Sequence, residues 1–202
     1  MIKNEYFSSP VYAEDKPEWI EKLNNLSEPH IKKARDEKIE ENKKREILGY
    51  KNDIGQAYHS HPLEPDENFR FFHNYMAEKS RWCLDDMGYD MNNYSLIYTE
   101  SWVQGFYFLK ASEKTSRPFF QDPRTAHPPL KLKEKDSLKI TNANDIINYN
   151  VKPGTLMLFP AYMSHAYMVD HGLEPFRFIH INMRAVEKDI LSSFSMNSSN
   201  FS

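Results

Sequence analysis

The sequence holds a single cysteine in 202 residues, which excludes an internal disulfide and fits a reducing compartment. Cys83 itself falls in an apolar helical pattern, where it reads as a small buried hydrophobe and not as a nucleophile. Charge of one sign is also scarce. Lysine and arginine number 26 against 29 aspartates and glutamates, leaving a formal net charge of −3 and a sequence pI near 6.2. That balance gives no reason to expect nucleic acid or a membrane surface as a partner. No apolar run approaches membrane-spanning length, no internal repeat is visible, and the start Met1-Ile-Lys-Asn-Glu-Tyr6 does not read as a signal peptide. A cytoplasmic protein is therefore expected, in which sequons such as Asn25-Leu-Ser27 carry no meaning.

What the chain does have is aromatic residues, at 14% of the sequence, a content that suits a strand-rich core. Its length fits one domain with a sizeable core. We expect a single domain over residues 1–192, helical over about 15–91 and β-rich over about 94–186, followed by a disordered Ser/Asn-rich tail at 193–202.

A first strand is expected from Phe7 to Ala13. Asp15-Lys-Pro-Glu18 then reads as a helix start, with Asp15 as N-cap and proline in the first turn. Trp19, Ile20, Leu23 and Leu26 recur at helical spacing until Pro29, which is expected to interrupt the helix. Residues 31–48 are charge-dense with few large apolar side chains, the pattern of a solvated helix, and Glu41 stands four residues before Arg45 in the attractive order. Tyr58-His-Ser-His-Pro62 follows. If it is extended, His59 and His61 project on one face, a possible ligand pair for a first-row metal. Two such histidines more often line a loop or cleft. Pro65-Asp-Glu67 opens a second helix with Phe69, Phe72, Met76 and Cys83 buried, His73 exposed, and Gly88 as a C-cap.

From Tyr94 the period changes to alternation. Strands are expected from Tyr94, over Gly105–Lys110, Arg117–Gln121, Ile146–Val151, Thr155–Phe159 and from His165, with residues 125–142 as a long surface loop. Pro153-Gly154 is a turn dipeptide and Pro160 ends the strand before it. In the last run, Phe176–Met183, alternation puts Arg177, Ile179 and Ile181 on one face and Phe178, His180 and Asn182 on the other. An arginine on an apolar face needs a carboxylate. None lies in local register, so a ligand is one candidate partner; Glu100, Asp122 and Asp170 are ordinary ones. Helices first and short strands afterwards give an α+β fold whose C-terminal half is an antiparallel sandwich or barrel, with a jelly roll fitting the strand count.

Five ordered blocks carry a family resemblance: Thr99-Glu-Ser-Trp-Val-Gln104, Gly105-Phe-Tyr-Phe-Leu-Lys110, Arg117-Pro-Phe-Phe-Gln-Asp-Pro-Arg124, Pro153-Gly-Thr-Leu-Met-Leu-Phe-Pro-Ala-Tyr-Met-Ser-His165 and Glu174-Pro-Phe-Arg-Phe-Ile-His-Ile-Asn182. Together they resemble the iron(II)- and 2-oxoglutarate-dependent oxygenases common in marine bacteriophages. The resemblance implies a double-stranded β-helix (jelly roll) with the N-terminal helices packed on it, Fe(II) and 2-oxoglutarate as cofactors, a hydroxylation substrate as partner, and the cytoplasm of a host cell as location. It makes His165 the distal histidine ligand of the metal and Arg177 the partner of the cosubstrate's distal carboxylate.

The resemblance also implies a proximal His-x-Asp or His-x-His pair between the tryptophan-bearing and Gly-Phe-Tyr-Phe-Leu blocks. Here Gln104 is followed directly by Gly105. The fold is therefore expected to lack one strand, and the chain to lack turnover. It would be a degenerate oxygenase, or an internally deleted copy of an active one, or a chain in which His59 and His61 substitute for the missing pair. A non-catalytic jelly-roll binding or structural protein is the alternative from another class.

Overall fold

A computed structural model describes residues 9–48, 59–123, 135–136, 139–141, 144–167, 174 and 176–188. Two helices, α1 (Ile20–Ile47) and α2 (Arg70–Asp86), precede a run of strands: β2 (Tyr94–Lys110), β3 (Pro118–Gln121), β4 (Ile146–Asn148), β5 (Thr155–Pro160), β6 (His165–Tyr167) and β7 (Arg177–Glu187). A short strand, β1 (Tyr12–Asp15), comes before α1. All strand pairs are antiparallel. They form a four-stranded sheet in the order β1-β5-β2-β7 and a three-stranded sheet in the order β4-β3-β6.

The larger sheet lies between two apolar layers, as the period of two along its strands dictates. On one face Val103, Tyr107, Leu156, Leu158, Ile179, Ile181 and Met183 pack with Leu23 of α1 and Phe72, Met76 and Leu84 of α2. On the other, Phe106, Phe108, Met157 and Phe159 pack with Phe120 of β3 and Met163, and Phe178 joins them. The fold is thus the expected α+β class, with helices on one side of the main sheet and the smaller sheet on the other.

Several local features follow from single residues. Asp66 caps the second helical segment by accepting the Asn68 backbone N–H at 3.0 Å. Phe69, Phe72, Met76 and Cys83 are buried as their spacing predicts, and Gly88, at φ +94°, follows the end of α2. Gly154 sits at φ +87° in the Pro153-Gly154 turn, where a Cβ would come 2.8 Å from Pro17 Cα. Gly105 answers a different need: a Cβ there would lie 2.4 Å from the Met157 carbonyl oxygen across the β2–β5 ladder. Residues 31–48 are the solvated helix expected, laced by Lys38–Glu41 and Lys43–Glu40 at 3.0 and 2.8 Å, with Glu41 and Arg45 at 3.8 Å.

Other expectations are corrected. Pro29 does not interrupt the helix; α1 runs through it for 28 residues. An interior proline costs about 3 kcal/mol, and here the helix is tied to the body on both sides of it, by Glu28 to Arg177 of β7 and by His30 to Asp66, each at 3.0 Å. Asp15 is not an N-cap. It ends β1 and pairs with Lys152 at 2.7 Å, and the helical turn opens at Pro17 with no side-chain cap. The first strand begins at Tyr12, and Phe7 lies outside the described residues. His73 is half-buried, not exposed, with its ring 4.8 Å from that of Tyr98. The two strands expected between Tyr94 and Lys110 are one, β2, with Thr99–Trp102 bulged so that both Tyr98 and Val103 face Met183 of β7. Most of the expected 125–142 loop and the tail at 193–202 fall outside the described residues.

Candidate functional site

His165 opens β6 and points at the larger sheet. Its ring packs edge-on against Phe106 and Phe159, with centroids 5.3 and 4.9 Å away. Its Nδ1 lies 3.0 Å from the Met163 carbonyl oxygen. A carbonyl can only accept, so Nδ1 carries the proton in that bond and Nε2 is left with its lone pair free, the state of a ligating or base-type imidazole.

Across the sandwich, β7 presents Phe178 and His180 to the same space. The His180 ring stacks on Phe106 at 5.1 Å and 14°, and its centroid is 6.5 Å from that of His165. Desolvation, with smaller contributions from His165 and His59, pulls the His180 pKa below the usual histidine value. His180 is nonetheless exposed, and β6 and β7 are each at the edge of their sheet among the described residues. Tyr167, two residues after His165, stacks on Phe178 at 4.9 Å; its buried hydroxyl has no hydrogen-bond partner among the described residues.

His59 and His61 do not act as a pair. His61 reaches Glu37 of α1, Nε2 to Oε2 3.0 Å, while His59 is exposed on the segment before it and is felt electrostatically at His180. Ile54 to Tyr58 of that expected segment lie outside the described residues.

Arg177 lies on the opposite face of the larger sheet. Its Nη1 donates to Glu28 Oε2 at 3.0 Å and to Asn24 Oδ1 at 3.3 Å, both on α1. The carboxylate absent from its local sequence thus comes from the helix layer; of the ordinary candidates, Asp170 and the Glu100 side chain lie outside the described residues. His165 faces the smaller-sheet side of β2 and β5. The two residues that sequence reasoning joined in one site are not brought together.

Among the described residues, no group of three or more histidine, cysteine, aspartate or glutamate side chains is placed to hold a metal ion. A mononuclear iron site of the oxygenase kind needs three protein ligands and open positions for cosubstrate and oxygen. The described residues do not supply that set. The residue sequence reasoning passed over is His180. Alternation put it on the face of Phe178, and only the β2–β7 register, Phe106 opposite His180, brings it to His165.

No helix among the described residues is long and apolar enough to cross a membrane. No curated protein matches the chain. Residues 88–176, less than half of its length, match the family described as "Putative 2OG-Fe(II) oxygenase". The matched segment runs from the end of the helical half through β6, includes His165, and stops one residue before Arg177. The chain is therefore similar over that segment to a family whose description implies Fe(II) and 2-oxoglutarate, and the match supports that family.

Proposed function

We propose that the chain is a member of the iron(II)/2-oxoglutarate oxygenase family that keeps a double-stranded β-helix short of one strand and does not carry out the family reaction. What remains is a non-catalytic jelly-roll protein. The observation that carries this reading is the placement of His165 and Arg177 on opposite sides of the β1-β5-β2-β7 sheet, with Arg177 held by Glu28 and Asn24. One 2-oxoglutarate molecule cannot meet a metal at His165 and a guanidinium on the other face of the sheet. The run of β2 supports the missing strand: Gln104 and Gly105, between which the family's proximal ligands belong, stand in unbroken register with β5 and β7, and β6 is an edge strand among the described residues.

In the family, bound iron and 2-oxoglutarate supply oxidising power for hydroxylation of an organic substrate. In this chain the described residues bind neither in that arrangement, and no step is derived through them. By the same resemblance we place the protein in the cytoplasm of a phage-infected cell, descended from a parent with the full ligand set.

The test is anaerobic metal analysis with and without 2-oxoglutarate, on this chain and on one with a His-x-Asp segment inserted between Gln104 and Gly105. The chain as it stands is expected to hold substoichiometric Fe(II) that 2-oxoglutarate does not raise, and the insertion to restore stoichiometric iron. One Fe(II) per chain, tightened by 2-oxoglutarate and lost in His165→Ala, would contradict the reading.

A further inference from the structure

We propose that the exposed aromatic surface at the C-terminal end of α2 is a docking site for a lysine- or arginine-bearing peptide segment of another protein. The surface owes nothing to the oxygenase reading, and neither His165 nor Arg177 belongs to it.

Trp82 of α2, Tyr89 just beyond it, Trp102 of β2 and Tyr162 after β5 are between 46% and 58% exposed, and no other tryptophan, tyrosine or phenylalanine among the described residues is as open. They are neighbours. Tyr89 and Trp102 meet edge-on at 5.7 Å, and the Trp102 carbonyl accepts the backbone N–H of Ala161, the residue before Tyr162. Trp82 meets the Tyr12 ring at 5.3 Å, and Tyr12 donates its hydroxyl to Asp86 at 2.7 Å, which ties β1 to the last turn of α2. Singly scattered apolar side chains on a surface need no explanation, whereas large aromatics gathered at one end of a fold mark an interaction site.

The charges around these rings select the occupant. Glu78 and Asp85 stand four residues before and three after Trp82, on its side of the helix. The last turn of α2 thus carries Asp85 and Asp86 and no basic residue, although the negative end of the helix dipole opposes carboxylates there. The nearby cations are engaged elsewhere: Lys79 pairs with Glu14, and Arg81 donates to the carbonyls of Met91 and Tyr94. Glu78 and Asp85 have no ion pair among the described residues, whereas Glu40 and Glu41 on α1 do. A helix end charged against its own stability is the kind of local conflict found at functional sites.

A lysine or arginine side chain answers both features at once. Its cation is drawn to the faces of tryptophan and tyrosine, and its methylene stem covers their apolar surface while the charged head reaches the carboxylates. An anionic partner would be repelled by Asp85 and Asp86. A purely apolar one would desolvate those carboxylates without replacing their hydrogen bonds to water.

The full-length protein is titrated by calorimetry with an acetylated hexa-arginine amide at low and at physiological salt. Trp82→Ala, Trp102→Ala and the pair Asp85→Asn with Asp86→Asn are compared with it, and Glu40→Gln with Glu41→Gln on α1 serves as a control of equal charge change. We expect one peptide per chain, with affinity about fivefold lower in each tryptophan variant, about tenfold lower in the aspartate pair, unchanged in the α1 control, and lower at the higher salt. As a second readout, Asp85→Lys is expected to raise the urea midpoint, because a cation suits the end of α2, and to abolish binding. Circular dichroism identifies any variant that has lost its fold. No binding by the parent, parental affinity in folded Trp82→Ala and Trp102→Ala, an equal loss in the α1 control, or a urea midpoint lowered by Asp85→Lys would overturn the proposal.

Discussion

Removing the Arg177 guanidinium tests where this side chain spends its charge. In the structure Nη1 of Arg177 is 3.0 Å from Glu28 Oε2, with the two side chains 30% and 64% exposed. At that exposure solvent screens the pair, so the interaction belongs with surface ion pairs at about 0.5–1 kcal/mol, and the 3.3 Å bond to Asn24 adds little. A double-mutant cycle of Arg177→Gln, Glu28→Gln and the double variant, read by urea unfolding, should return a coupling of that size. In a chain this long, 1 kcal/mol corresponds to about 2–4 °C in Tm. The coupling should shrink as salt is raised. If Arg177 instead served an organic acid, millimolar 2-oxoglutarate would raise the Tm of the parent by mass action and leave Arg177→Gln unmoved. No coupling to Glu28 together with a 2-oxoglutarate-dependent shift that vanishes in Arg177→Gln would refute the placement of this arginine on the helix side.

Gly105→Ala should destabilise by about 2–3 kcal/mol in the same urea assay, because the new methyl would sit 2.4 Å from a backbone oxygen in the β2–β5 ladder, which cannot rotate away. Phe106→Ala, at the centre of the ring cluster that includes Phe159, Phe178 and His180, should cost about 3–5 kcal/mol and move the His180 pKa back towards the ordinary histidine value, followed by NMR. Cys83 is buried and its thiol is pushed up to about 12. A thiol reagent at pH 8 should therefore label it at the rate of unfolding, and rapid labelling under native conditions would contradict its burial. Burial lowers the pKa of His73 and of His180. The unfolded chain then binds more protons than the folded one between those lowered values and about 6.5, so stability should fall as pH drops through that window and hold steady above it, and His73→Gln should flatten the slope.

Much of the scaffold was legible because it is local. The Phe69-Phe72-Met76-Cys83 stripe, the Pro153-Gly154 turn and the alternation of Arg177 and Ile179 against Phe178 and His180 depend on spacing and backbone preference alone. The helix continues through Pro29 because its neighbours Glu28 and His30 are tethered to Arg177 and Asp66, residues far away in sequence that local spacing does not reveal. His73 looked exposed on a helical wheel, since nothing local announces that Tyr98 of β2 covers it. The partner of Arg177 was invisible for the same reason: Glu28 lies 149 residues away. Histidines 165 and 180 could be assigned faces, but their meeting over Phe106 depends on how β6 and β7 are placed across the sandwich.

The measurement that bears most directly on the central claim is release of succinate from 2-oxoglutarate by the intact chain, supplied with Fe(II), ascorbate and oxygen. With His165 and Arg177 on opposite faces of the sheet, the rate should not exceed that of Fe(II) in buffer, and His165→Ala should behave identically. Enzyme-dependent succinate release that disappears in both His165→Ala and Arg177→Gln would show the two residues working in one site and contradict the account.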